Sequence, residues 1–118
     1  MNCCGGCDNV ICIQQGDDYN AADGRALCFS GAGCHWPPGL TGATLILEPV
    51  ARGCGCPFPS ESRIDGDVTY SPPRACFNLT AGETIGFALG YHALRYRVVA
   101  QTAAGHAVTL DSGKVTVK

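Results

Sequence analysis

The residues most able to carry chemistry in this sequence are its nine cysteines. Two groups are closely spaced and separated by glycine: residues 4–7 (CGGC) near the N-terminus and residues 54–56 (CGC) in a loop rich in glycine and proline. Glycines between thiols let the backbone curl so that both sulfurs face one ion, and four thiolates suffice for tetrahedral Zn²⁺ or an iron–sulfur cluster. The spacing predicts a structural metal site, zinc or iron–sulfur, formed by Cys4, Cys7, Cys54 and Cys56.

Other states of the thiols remain open at this stage. Cys3, Cys34 and His35 are further candidate ligands, disulfides could form after release from the cell, and some thiols could stay unpaired. Because nine is an odd number, complete pairing within one chain is impossible. For the cysteines in or beside apolar runs we predict packing as small hydrophobic side chains. These are Cys12, Cys28 and Cys76.

The remaining polar residues do not form a catalytic pattern. A catalytic zinc keeps an open coordination position beside a general base, and no H-E-x-x-H or similar motif is present. His92 and His106 have no acidic or nucleophilic partner in register. Cys34 and His35 are adjacent, so on an extended chain their side chains point to opposite sides. We therefore predict that the protein is not an enzyme.

Composition narrows the possible partners and compartments. The 118 residues carry a net charge of −2, and the eight Lys and Arg are scattered along the chain, which argues against nucleic-acid binding. No apolar run approaches the roughly 20 residues needed to span a bilayer. The first residues lack the basic and apolar segments of a signal peptide, so we expect no membrane association and folding in the cytoplasm.

Glycines and prolines divide the chain into short runs that are typical of strands. Apolar or alternating runs occupy residues 9–15, 43–50, 67–70, 75–79 and 92–102. In the last of these, one face carries Leu94, Tyr96, Val98 and Ala100, and the other carries Arg95, Arg97 and Gln101.

The end of the chain and one short interior segment complete this pattern. After a turn at 103–106 we predict a strand at 107–110, a second turn at 111–113 (DSG) and a last strand at 114–117. Thr80 and Glu83 are spaced as the capping box of a short helical turn. Gly16, Asp17 and Asp18 predict an Asx-type turn between strands.

These elements predict one domain, residues 1–118, with a cysteine-rich N-terminal arm at 1–8. The fold class is all-β: an Ig-like antiparallel β-sandwich with one short helical turn. A true immunoglobulin domain is not indicated. Cys28, Trp36 and Cys76 occur in the right order, but the tyrosine expected two residues before the second cysteine is Arg74 here.

The order of the short motifs resembles a known family. The chain is similar to small β-sandwich domains of tailed-bacteriophage virion proteins, above all the N-terminal domain of baseplate upper proteins and related minor tail components. The matching pieces are residues 15–17 (QGD), 40–43 (LTGA), 79–80 (LT) with 83–84 (ET), Gly90 with Tyr96, and 105–117.

This resemblance implies a non-enzymatic building block of the virion, assembled in the bacterial host cytoplasm. Its expected partners are other phage virion proteins and copies of itself in a symmetric tail, baseplate or connector assembly. Edge strands can add to a partner's sheet, and the KVTVK strand and the N-terminal arm are the expected contact elements. The alternative is a carbohydrate- or host-surface-binding module with Trp36 and tyrosines as stacking platforms, and a weaker one is a small metal- or redox-active protein.

Overall fold

The computed structural model describes residues 9–31, 36–37, 39–49, 61–70, 73–87 and 89–118. A one-turn helix, α1 (Ala81–Thr84), and a 3-10 turn (Ala21–Asp23) join strands within these ranges. The strands are β1 (Asn9–Ile13), β2 (Leu27–Ser30), β3 (Ala43–Pro49), β4 (Ser62–Tyr70), β5 (Pro73–Phe77), β6 (Gly90–Gln101) and β7 (Ala107–Val117).

The strands form one sheet in the order β1-β7-β6-β3-β4-β5-β2. The sheet curls into a half-barrel because the two halves of β4 pair with different neighbours: residues 62–66 with β3, and 67–70 with β5. We call β1, β7, β6, β3 and residues 62–66 the large layer, and residues 67–70, β5 and β2 the small layer. The predicted all-β sandwich with one short helical turn is confirmed, and its two layers belong to one continuous sheet.

The two layers face each other across a common apolar core. The Phe29 ring in the small layer lies 5.1 Å from the Tyr96 ring in the large layer and 5.9 Å from the Phe77 ring. Leu45 and Val98 are 0% exposed in the centre of the large layer. Contact between rings four strands apart in the sheet order is possible only because the sheet curls.

Gly66 lies where β4 passes from one layer to the other. A Cβ at this position would overlap the carbonyl oxygen of Cys76 and the ring of Phe77. Only glycine therefore lets β4 approach β5 this closely.

The alternation predicted for β6 is confirmed. Its apolar positions, Leu94, Tyr96, Val98 and Ala100, are at most 4% exposed. Its polar positions point away from the core: Arg95 and Gln101 are exposed and Arg97 is half-buried.

The turn predicted at residues 111–113 is wrong, because β7 continues through it. Val98 pairs with Asp111 and Val99 with Thr109, so Leu110 is an extra residue in β7. Such a β-bulge changes which residues face the core: Val108 packs against the core before the bulge, Leu110 is buried at the bulge, and Gly113 and Val115 are buried after it. In the sequence, this shift in the alternation of buried and exposed residues looks like two short strands separated by a turn.

The prediction that the KVTVK strand can add as an edge strand to a partner's sheet is also wrong. These residues lie in β7 between β6 and β1, so both edges of the strand are already paired. Its partner β1 runs parallel to it, whereas every other strand pair is antiparallel, as predicted. The N-terminal arm, residues 1–8, lies outside the described residues. In the parts of the chain that the structure describes, no helix is long and apolar enough to cross a bilayer.

Candidate interaction surface

The four predicted metal ligands, Cys4, Cys7, Cys54 and Cys56, lie outside the described residues, as do Cys3, Cys34 and His35. The described ranges contain no cluster of three or more His, Cys, Asp or Glu able to hold a metal ion. The zinc or iron–sulfur site therefore stays a prediction. Elemental analysis of protein purified without oxygen tests it, with one thiolate-bound ion or cluster per chain as the expected result.

The packing predicted for the other three cysteines is wrong. Cys28 and Cys76 are directly opposite each other on β2 and β5 and form a disulfide, with Cα atoms 4.1 Å apart. Cys12 is a free, exposed thiol on β1. The reason is the period of two: Phe29 and Ile13 point inward, so the cysteines beside them point outward. That alternation was visible in the sequence and could have placed all three thiols on the outer face.

A turn forms at residues 15–16, but the Asx-type turn predicted for Gly16, Asp17 and Asp18 is wrong. Gly16 adopts φ +86°, and the amide of Asp17 donates a hydrogen bond to the carbonyl oxygen of Gln14 (3.2 Å). The carboxylates bond to other segments. Asp17 pairs with Arg25 at 3.1 Å, which raises the pKa of Arg25, and Asp18 accepts a hydrogen bond from the amide of Ala81 (2.6 Å).

This turn is bonded to α1 through one buried hydroxyl. Thr84 is 0% exposed, and its Oγ1 accepts a hydrogen bond from the amide of Gly16 (3.0 Å) and donates one to the carbonyl oxygen of Asp17 (2.9 Å). The predicted capping box is confirmed, with Thr80 as N-cap and Glu83 as its reciprocal partner. Sequence reasoning matched Thr84 to a family motif without foreseeing its hydrogen bonds, because the partners are almost 70 residues away.

We call residues 14–19 and 79–87 together the junction. Residues 14–19 follow β1 on the way to the small layer, and residues 79–87 lead from the small layer back to β6. Backbone hydrogen bonds of 2.8 Å join Tyr19 and Leu79 in both directions, and the Gln15 side chain donates to the carbonyl oxygen of Phe87 (2.9 Å). These two crossings between layers are therefore fastened to each other.

The end of the junction and the residues just after it carry three large exposed apolar side chains. Ile85, Leu89 and Tyr91 are 59%, 60% and 76% exposed, whereas Phe87 between them is buried. Phe87 thus anchors the segment in the core, and the Gln15 hydrogen bond holds its backbone. We call Ile85, Leu89 and Tyr91 the apolar triad.

The backbone beside Tyr91 adopts an unusual conformation. His92 has φ +51°, which is rare for a residue other than glycine, and the pairing of β6 with β7 is irregular between Gly90 and Leu94. The amide of His92 donates a hydrogen bond to Thr116 Oγ1 (3.1 Å), and the Tyr91 and His92 rings stack at 3.7 Å. Strained backbone of this kind concentrates at functional sites, where surrounding contacts maintain it.

The aromatic residues proposed as sugar platforms are mostly inside the protein. Trp36 is half-buried and packs against the core, and Tyr19 and Tyr96 are buried. Among the tyrosines whose burial the structure describes, Tyr91 alone is exposed.

One open groove of about 520 Å³ crosses β3, β4 and β6 on the side facing away from the core. Its polar groups are satisfied locally: the Thr44 hydroxyl bonds to Asp65 (3.1 Å), and Arg63 pairs with Glu61 (2.9 Å).

No known protein-family model matches the chain, and no curated protein matches it at a significant level. Its function must therefore be inferred from its own residues and geometry.

Proposed function

We propose that this protein is a non-enzymatic structural subunit that assembles with other proteins, and that the assembly is the one its motifs resemble, a tailed-phage virion. It would serve as a tail, baseplate or connector building block, in contact with other virion proteins and with copies of itself. The single observation that supports assembly with other proteins is the exposure of the apolar triad. Phage origin rests on the sequence resemblance alone.

The exposure of the apolar triad favours a protein contact. Single exposed apolar side chains are common, but three large ones within seven residues, one of them a tyrosine, match the composition of interface cores. The segment is anchored by Phe87, so little conformational entropy is lost when a partner binds.

The geometry of the motif residues supports a structural role. Gly16 and Asp17 from the first motif bond to Thr84 from the third, and Thr80 and Glu83 cap α1. Two of the motifs on which the resemblance depends thus help to join the two layers.

Two measurements test the proposal. Mass spectrometry of purified virus particles from the source should detect this chain at a fixed ratio to known tail proteins, and its absence would end the virion assignment. A Leu89→Ser, Tyr91→Ala double variant should remain folded and be lost from the particles. The matched control is Val10→Ser, a change at an exposed apolar residue on β1.

The control decides which surface makes the contact. We expect Val10→Ser to be incorporated normally. If Val10→Ser is excluded from particles while the double variant enters them, the contact is the β1 edge and the role assigned to the apolar triad is wrong.

Carbohydrate binding is the second candidate, and Tyr91 is the residue that favours it. Its ring is 76% exposed and its orientation is fixed by stacking on His92, as in a sugar-stacking platform. A glycan array with the wild type, Tyr91→Ala and Trp36→Ala separates the candidates. Binding that disappears with Tyr91→Ala supports a sugar site, and the absence of binding by the wild type removes it.

A further inference from the structure

Two cations lie side by side on the outer face of the large layer, the face that points away from the core. Arg95 on β6 and Lys114 on β7 are directly opposite each other, and both are exposed. Side chains at such positions have Cβ atoms about 5 Å apart. Together with Ser112 and Gly113 they line a groove of about 320 Å³.

Within the described part of the chain, neither cation has an ion-pair partner. Glu48 is opposite Arg95 in the sheet, but its Oε1 accepts a hydrogen bond from Arg97 Nε (3.0 Å) and forms an ion pair with Arg97 Nη2 (2.9 Å). The carboxylate opposite Arg95 is thus already engaged. Like charges directly opposite each other destabilise a sheet, so an anion between Arg95 and Lys114 would remove a repulsion as well as add an attraction.

We propose that Arg95 and Lys114 form a carboxylate-binding site for an acidic segment of a partner protein. Arg95 offers a planar donor edge that matches both oxygens of a carboxylate, and Lys114 adds a mobile point charge from the other side. Hydrogen bonds to charged groups are stronger than neutral ones, and their strength rises further when a partner excludes water.

The charge pattern favours a protein carboxylate over a nucleic acid. A nucleic acid needs a continuous basic stripe, whereas this face also carries Glu48 and Asp65, and the chain as a whole has a net charge of −2. A short acidic segment can place one or two carboxylates between the cations, on the side of Arg95 that faces away from Glu48. The inference rests on the proposed function, since it names the chemistry of a partner, but it concerns a different surface from the apolar triad.

The test uses the full chain and a blocked hexaglutamate peptide, followed by amide NMR shifts and fluorescence anisotropy. We expect saturable binding, with shift changes centred on Arg95 and residues 112–114, that weakens as salt rises from about 50 to about 300 mM. An Arg95→Gln, Lys114→Gln double variant should weaken binding about tenfold or more, which is the loss of at least one charge-assisted contact. A hexaglutamine peptide should not bind.

The matched control is Arg25→Gln with Arg74→Gln, which removes the same charge from two exposed arginines elsewhere. It should change the affinity by less than about twofold. An equal loss of hexaglutamate affinity in the two double variants would overturn the proposal. So would a wild type that does not bind hexaglutamate. Tighter binding of a hexathymidylate than of hexaglutamate would overturn it too, by making the surface a nucleic-acid site. Because no assembled particle is needed, this site and the proposed function can fail independently.

Discussion

The large layer and the small layer are stabilised in different ways. In the large layer, β6 and β7 have twelve and eleven residues and pair over most of their length, and Leu45 and Val98 are completely buried. In the small layer, β5 and β2 have five and four residues, and the Cys28–Cys76 disulfide joins them. Short strands provide few ladder hydrogen bonds and little buried area, so a covalent bond adds stability where packing provides least.

The difference also shows where the two layers depend on each other. They are connected, among other places, by β4, which passes between them at Gly66, and by the junction, where Thr84 joins two chain crossings. Four substitutions test this division, ordered from the largest expected effect to the smallest.

Replacing Gly66 by alanine should have the largest effect, because it disturbs both layers. The added methyl would overlap the Cys76 carbonyl and the Phe77 ring, so β4 and β5 must separate. We expect a loss of about 4 kcal/mol or more in the free energy of unfolding, the upper range for an overpacked site. The measurement is urea unfolding followed by circular dichroism.

The control for this change is Gly82→Ala in α1. A Cβ there would find its nearest atom 3.8 Å away, so alanine should be neutral or slightly stabilising. Equal destabilisation by both substitutions would show that the close approach at Gly66 is not the cause.

Truncating Leu45 to alanine should have the next largest effect. Leu45 is 0% exposed at the centre of the large layer, and such a truncation leaves a cavity that costs about 3 to 4 kcal/mol. Leu27→Ala on β2 is the comparison, and its loss should be about half as large because Leu27 is only partly buried at the edge of the small layer. Equal losses would mean that the layers do not differ in packing.

Replacing Cys28 and Cys76 together by serine should lower the free energy of unfolding by about 3 kcal/mol. Without the disulfide the unfolded chain is no longer closed into a loop, so it gains conformational entropy. The separation of the two cysteines is 48 residues. Hydrogen exchange should show faster opening of β2 and β5 while the amides of β6 keep most of their protection. Uniform loss of protection in both layers would contradict the special dependence of the small layer on the disulfide.

Replacing Thr84 by valine should have the smallest effect of the four. The change keeps the shape but leaves the Gly16 amide and the Asp17 carbonyl without their hydroxyl partner, at a cost of about 2 kcal/mol. Thr109→Val, an exposed position on β7, is the matched control and should be nearly neutral. If the urea concentration at the midpoint of unfolding is unchanged in Thr84→Val, the junction does not stabilise the connection between the layers.

Local patterns were sufficient to predict most of the strands and the cap of α1, but not β2 or residues 62–66 of β4. The period of two in β6 identified its buried face, and the spacing of Thr80 and Glu83 identified the cap of α1, because both signals involve only neighbours in sequence. The same alternation indicates an outward position for Cys28, whereas the general tendency of free cysteine to be buried predicts an inward one. The alternation is the signal that agrees with the structure.

Pairing between distant segments could not be predicted in this way. The extra residue at Leu110 appeared as a turn because a bulge and a turn both interrupt alternation. The interior position of β7 follows from its parallel pairing with β1, which joins opposite ends of the chain and leaves no mark in either strand.

The amino-acid sequence by itself determined the all-β class, the short helical turn capped by Thr80 and the inward face of β6, since each depends on periodicity or on residues a few positions apart. The tertiary structure alone decided how the sheet curls, which cysteines are bonded, and where the side chains of the junction and the outer face meet. The physical reason is that strand register and sheet curvature are set by contacts across the whole core, which bring Gly16 to Thr84 and Arg95 to Lys114.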